Sequence, residues 1–227
     1  MFKLRYIGGG LLNTAELSLN EASKEIVNFG EICRSGFSYV KEAINEKDPE
    51  KCNEYIDQLV KHEEITDNIE FEIASYLNEV SRGEISGTAA ERIKRMYKII
   101  GEMESLGDSG EAISRMVTRL RVHEQTFDEN QLGKLNRMVN LVEAAFNVMI
   151  DNLRNDDLKY ISNARDAENR INSYRNALRE EHIVNLEKAK YNYQAGSFYM
   201  DIVSELEKVG DFIINISQAL IPYGKNE

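Results

Sequence analysis

Apolar residues recur every three or four positions along most of this chain, with polar residues between them. Ile99, Met103, Leu106, Gly110, Ile113, Val117 and Leu120 form one such seam, and Ile202, Leu206, Val209, Ile213, Ile216 and Leu220 form another. That spacing is the buried stripe of a helix packed on other helices. No stretch shows the period-two alternation of a half-buried strand. Capping and breaking signals then cut the pattern into six helices. Asn13 with Glu16 reads as a capping box for a first helix over Thr14 to Asn45. Lys47-Asp48-Pro49 is the clearest break: Asp48 suits an N-cap and Pro49 a first turn, opening a second helix to about Val80. Thr88 with Glu91 opens a third, to about Gln125. Asp128 with Gln131 opens a fourth, ending near Leu153, and Asn155 opens a fifth, to about Leu186. The sixth is expected to start where Glu-rich Leu178–Lys188 gives way to Tyr191–Gly196, and to stop at Pro222. Helices of about 25 to 38 residues are roughly 40 to 55 Å long, and short loops make neighbours antiparallel.

The two seams belong to one repeated stretch. Ile99–Ser114 returns 103 positions later as Ile202–Ser217, and seven of the sixteen aligned pairs are identical, including Glu102/Glu205, Glu104/Glu207, Gly107/Gly210 and Asp108/Asp211. Ordinary residue usage would give about one match. The offset is close to half the chain, which marks a duplicated unit. The expected fold is therefore all-α: six long antiparallel helices forming two tandem three-helix bundles with a pseudo-twofold internal repeat. Residues 1–12 are expected to be a flexible lead, 13–126 the first three-helix repeat and 127–227 the second, together one compact unit.

Each copy carries the kernel E-x-E-x-x-G-D. Glu104 and Asp108 are four apart and share a helix face, as do Glu207 and Asp211. Both pairs fall off the apolar seam, so they are expected on outward-facing surfaces. Gly107 and Gly210 are matched interruptions, each costing a helix about 1 kcal/mol relative to alanine. Something is expected to approach the backbone closely there: a neighbouring helix is the plain candidate, a bound ion or partner protein the sharper one.

Composition narrows the function. The net charge is −11 and no basic stripe is present, which argues against nucleic acid as a partner. Hydrophobic residues make up 42%, and no apolar run approaches the roughly 18 to 20 residues that span a bilayer. The opening Met-Phe-Lys-Leu-Arg-Tyr lacks the apolar core of a signal peptide. Cys33 and Cys52 form no C-x-x-C pair and read as buried thiols of a reducing, cytoplasmic compartment.

Carboxylates at i, i+4 can offer oxygens to one hard cation, with further ligands from an adjacent helix. The adjacent helix in the first half carries Glu63, Glu64, Asp67 and Glu70; in the second half it carries Asp166 and Glu168. A solvated acidic face is the plain alternative, and repetition with glycine in register raises the functional reading. Glu102 and Glu205, with Glu63 and Asp67, are expected to support the kernels. His62-Glu63-Glu64-Ile65-Thr66 falls short of a zinc-protease motif because Thr66 stands where the second histidine belongs. Neither His62, His123 nor His182 follows a glutamate at the Glu-x-x-His spacing of di-metal bundles. No phosphate loop, dinucleotide fingerprint or nucleophile elbow occurs, and no catalytic set is expected.

Leu178-Arg179-Glu180-Glu181-His182, Ser204–Asp211 and Asn215-Ile216, with Glu102–Asp108 in the first half, resemble the PhoU family of phosphate-uptake regulators. That resemblance implies two three-helix bundles in tandem, the count reached from periodicity. It implies that the acidic motifs, here Glu104 with Asp108 and Glu207 with Asp211, hold a divalent or trivalent metal ion (Fe, Zn, Mn or Mg) on the bundle surface, as in some members. It implies regulation through contact with a membrane phosphate transporter, at the inner face of the membrane, and no enzyme activity. Leu11–Leu19 resembles the joint after the membrane part of bacterial sodium/phosphate cotransporters, whose cytosolic tail is PhoU-like. In an approximate alignment Asn169, Arg170 and Asn172 stand where the first half has Asp67, Asn68 and Glu70, so the second half is expected to lack supporting ligands. Two other readings stay open: a metal-dependent carboxylate enzyme, and a structural, homodimerising scaffold whose acidic faces only solvate it.

Overall fold

The computed structural model describes residues 4–10, 14–155, 161–187 and 192–221. Six helices follow in order: α1 (Ala15–Asn45), α2 (Pro49–Ser81), α3 (Gly87–Val122), α4 (Glu129–Asn155), α5 (Ile161–Glu187) and α6 (Tyr193–Ala219). Among the described residues no strand occurs, and no helix is long and apolar enough to cross a membrane.

The ends are set by local chemistry. Asp48 accepts hydrogen bonds from the Glu50 and Lys51 amides (2.9 and 3.1 Å) with Pro49 in the first turn of α2. Asp128 and Gln131 close a reciprocal capping box: the Gln131 amide donates to Asp128 at 2.7 Å and the Asp128 amide donates to Gln131 at 3.1 Å. Two expected caps move. Thr14 caps α1 by accepting from the Leu17 amide; the expected cap, Asn13, lies outside the described residues. Ser86, not Thr88, caps α3, taking the Ala89 amide at 3.1 Å while its hydroxyl pairs with that of Thr88 at 2.8 Å. α3 also stops at Val122, short of the expected Gln125. Glu124 adopts a left-handed φ of 53°, its amide returns to Arg121 and that of Gln125 to Leu120, which closes the helix in a Schellman turn. Asn155, expected to open the fifth helix, instead ends α4. Asn192 caps α6 within the region of the expected turn, and the stop at Pro222 lies outside the described residues.

Within each half the three helices pack on one another; between halves α3 lies on α6 and α1 on α4. One core runs through both trios, from Leu19, Phe29, Ile69 and Met103 to Leu135, Phe146, Val203 and Leu206. Gly30 lets α1 approach α4, since a β-carbon there would sit 3.3 Å from Leu153 and 3.4 Å from Met149. The rim of the α1–α4 contact is a polar ladder in which Asn45 pairs reciprocally with Asn136, Lys41 donates to Asn140, and Arg34 donates to Asn147. Cys33 and Cys52 are free and buried, and burial pushes both thiols up.

The lead, expected to be flexible over 1–12, is described from 4 to 10, and there it is docked. Ile7 is buried in the core, and the Arg5 and Tyr6 amides donate to Glu25 of α1 at 2.8 and 2.7 Å. Three consecutive glycines hid this, because the anchor lies before them and its partner is about twenty residues away.

Candidate functional site

The kernel glycines mark where helices press together. A β-carbon on Gly107 would lie 2.1 Å from the hydroxyl oxygen and 3.0 Å from the β-carbon of Thr66 on α2; one on Gly210 would lie 3.0 Å from the tip of Ile171 on α5. Of the two expectations for these positions, the neighbouring helix is what comes close. Thr66 is buried and donates its hydroxyl to the Glu63 carbonyl at 2.8 Å. This contact sets α2 against α3 in a definite register, one residue from the acids on each helix.

That register gathers carboxylates. Glu63 and Asp67 of α2 and Asp108 of α3 each place an oxygen within 4.8 Å of the others. Glu104 lies one turn before Asp108 and is half-buried; Asp108 itself is exposed. Burial, then the charges of Asp108 and Asp67, push the Glu104 carboxyl up from its ordinary range. Burial, then Asp67 and Glu111, push Asp108 up, against a smaller pull from Arg115. Glu63 is raised by burial, then by Asp67, Glu111 and Asp108. Arg115 is engaged by Glu111. Among the described residues no lysine or arginine forms an ion pair with Glu63, Asp67, Glu104 or Asp108. Hard oxygen donors, close together and short of positive charge, fit a divalent cation.

The raised carboxyls give a pH signature. A carboxyl whose folded pKa exceeds its unfolded value favours the protonated form, so its charge opposes the fold at pH values above the raised pKa. That penalty fades as pH falls from the raised pKa towards the ordinary carboxylate range, and is gone below it. Asp108→Asn is therefore expected to raise the melting midpoint at pH 7 in chelator-treated buffer, with the gap to wild type closing towards about pH 4. A lower midpoint for the variant at neutral pH would show instead that this charge supports the fold.

The second half departs from the first. If Thr66 and Ile171 are taken as equivalents because each covers its kernel glycine, then Glu168 matches Glu63, Asn172 matches Asp67 and Arg175 matches Glu70. The approximate sequence alignment, with Asn169 and Arg170 opposite Asp67 and Asn68, was three residues out of register. Arg175 donates to Glu207 at 2.5 Å, both side chains being largely buried. Asp211 is half-buried and raised by burial, then by Glu207 and Glu168, with Arg175 pulling the other way. Among the described residues no trio like Glu63, Asp67 and Asp108 occurs here. A base already bound to Glu207 does not fit a metal ion, and the amide in place of Asp67 offers an oxygen but no charge to attract one.

Glu102 and Glu205, expected to support the kernels, reach across the α3–α6 seam. Glu205 is buried and accepts from the Ser109 hydroxyl at 2.8 Å and from Lys208 at 3.0 Å, and Glu102 accepts from the Asn215 amide at 3.0 Å. They join the two halves, although Glu205 is still near enough to push Asp108 up. His62 is pressed on Gly36 of α1 and lies 5.6 Å from the Tyr39 ring, and the His182 ring lies 6.4 Å from that of Tyr199. The residue that periodicity missed is Arg175, whose importance depends on inter-helix register.

The PhoU domain family matches the chain twice, over residues 26–117 and 135–220. Among curated proteins none matches. The crystal structure of the phosphate transport system regulatory protein PhoU from Streptococcus pneumoniae superposes with a TM-score of 0.78 at 18% identity, covering 94% of this chain and 98% of that one. The crystal structure of PhoU from Pseudomonas aeruginosa superposes with a TM-score of 0.81 at 12% identity, covering 91% and 96%. At these identities the likeness is one of fold.

Proposed function

The chain belongs to the PhoU family, and from that membership we propose that it regulates phosphate transport by docking on a membrane phosphate transporter through the acidic face of α2 and α3. The two solved relatives superpose over nearly their whole length, and one is titled a phosphate transport system regulatory protein. The observation that carries the proposal is the convergence of Glu63, Asp67 and Asp108, unpaired by any base among the described residues and deepened by half-buried Glu104. A fold does not keep such repulsion for stability, since like charges at this range oppose folding.

Glu63, Asp67 and Asp108 would hold a divalent cation, with Glu104 beside them. Bound there, such an ion would offset part of the negative charge of the face and would supply a bridge to a partner's carboxylate or phosphate. Without it, the same carboxylates receive lysine and arginine side chains at the cytoplasmic side of a transporter, where positive charge is enriched. In either form the side chains recognise and hold a partner, and a regulator, not an enzyme, is the reading they support.

The test is binding to transporter-containing membranes. Glu104→Ala/Asp108→Ala is expected to weaken binding at least tenfold, about 1.4 kcal/mol, and to release phosphate uptake from control. Glu207→Ala/Asp211→Ala is expected to have the smaller effect. Unchanged binding together with unchanged uptake in the first variant would sink the proposal.

A further inference from the structure

We infer that the guanidinium of Arg175 stands in the second half where a cation would stand in the first, so that this chain takes divalent metal at only one of its two acidic kernels. The first-half part of this rests on the metal reading above. Arg175 is on α5 at the position matched to Glu70 of α2, and Asn172 is matched to Asp67, once the helices are aligned on the residues that cover Gly210 and Gly107. The first half therefore gathers Glu63, Asp67, Glu70, Glu104 and Asp108, whereas the second gathers Glu168, Glu207 and Asp211 around one arginine.

The pair in the second half is close and partly shielded from water. Nη2 of Arg175 donates to Oε1 of Glu207 at 2.5 Å, with the side chains 26% and 19% exposed. Arg175 also attracts Asp211, and its Nε is a buried donor without a partner among the described residues. A metal ion entering here would have to displace a largely buried guanidinium from its carboxylate, leaving a charged donor set unsatisfied. It would also find the amide of Asn172 in place of a carboxylate. The two kernels, alike in sequence, thus differ in kind. The first has a charge that follows divalent supply, and the second has one fixed by its own arginine. A partner gripping both halves would sense cations through the first alone.

Manganese titration of the full chain, followed by calorimetry and by the electron paramagnetic signal of free ion, tests this with two exchanges. Asp67→Asn/Glu70→Arg gives the first half the second's pattern, and Asn172→Asp/Arg175→Glu does the reverse. Wild type is expected to fill sites in one half, the first exchange to bind at least tenfold more weakly, and the second exchange to gain a further set of sites. Should the second exchange fail to fold, Arg175→Gln takes its place with the same outcomes. Wild-type loading that survives Asp67→Asn/Glu70→Arg, or no gain on removing Arg175 when wild type binds, overturns the inference alone. Manganese bound only after Arg175 is removed supports the role given to Arg175 but overturns the first-half metal reading, and with it the statement that one kernel of the wild type takes metal. Manganese bound by no variant overturns both.

Discussion

Gly107→Ala is expected to lower the unfolding free energy by about 2–3 kcal/mol, although alanine is the better helix former. The new β-carbon would lie 2.1 Å from the Thr66 hydroxyl oxygen, 3.0 Å from its β-carbon and 3.2 Å from its methyl group. Rotating Thr66 does not clear the overlap, because its β-carbon, 3.0 Å from the new one, does not move with χ1. Thr66 is 1% exposed, so it has no free volume to move into, and rotation also breaks its bond to the Glu63 carbonyl. The helices must then separate. Helix propensity returns about 1 kcal/mol, already counted in that figure. Gly210→Ala meets the δ-methyl of Ile171 at 3.0 Å, which turns about χ2, while the Ile171 β-carbon stands off at 3.7 Å, so its expected change is within about 1 kcal/mol. Urea unfolding of both variants checks the order. Thr66→Ala added to Gly107→Ala removes the hydroxyl and methyl overlaps, leaves the β-carbon at 3.0 Å, and is expected to restore part of the loss. Equal, small effects of the two alanines would refute the role given to the α2–α3 contact. The same separation moves Glu63 and Asp67 away from Asp108, so cation binding in the first half is expected to weaken along with stability.

How much of this was legible beforehand follows from what periodicity encodes. The three-four stepping of Ile99 to Leu120 reports which face of a helix is buried, and Asp48-Pro49 and Asp128/Gln131 report where helices begin, so the six helices and their order were readable. The repeat of E-x-E-x-x-G-D made the kernels readable too, because duplication exposes matched residues whether they pack, as Gly107 and Gly210 do, or stand off the seam, as Glu104 and Asp108 do. Register between helices was not readable. It is set by Thr66 over Gly107 and Ile171 over Gly210, single contacts with no periodic signature. The misplaced alignment of α5 followed, and with it the failure to see Arg175 on Glu207. Glu102 and Glu205 show the same limit. Their spacing from Glu104 and Glu207 placed them near the kernels, but only tertiary packing shows that they face the opposite half.

Glu25→Ala is expected to remove about 3 kcal/mol of stability and to free the lead, an effect centred far from the acidic kernels. Glu25 is fully buried, and its two oxygens accept three hydrogen bonds: Oε2 from the Arg5 and Tyr6 amides at 2.8 and 2.7 Å, and Oε1 from the Asn28 side chain at 2.9 Å. Bonds to an ionised acceptor are each worth about 1.5–3 kcal/mol in place. Much of that is recovered if the lead detaches and its amides reach water. Detachment in turn withdraws Ile7, 5% exposed, from the core, and fully burying such a side chain contributes about 1.5–3 kcal/mol. The net figure combines partial losses of both kinds, so it is well below their sum. Glu25→Gln separates the two contributions. Its remaining oxygen can keep both backbone donors, and Asn28 can turn its amide to accept from the new NH2, so the expected loss is near 1 kcal/mol. Hydrogen exchange at the Arg5 and Tyr6 amides and limited proteolysis of residues 4–10 report detachment directly, while thermal melts report stability. Protected amides in Glu25→Ala with an unchanged midpoint would mean that the lead is held by Ile7 alone.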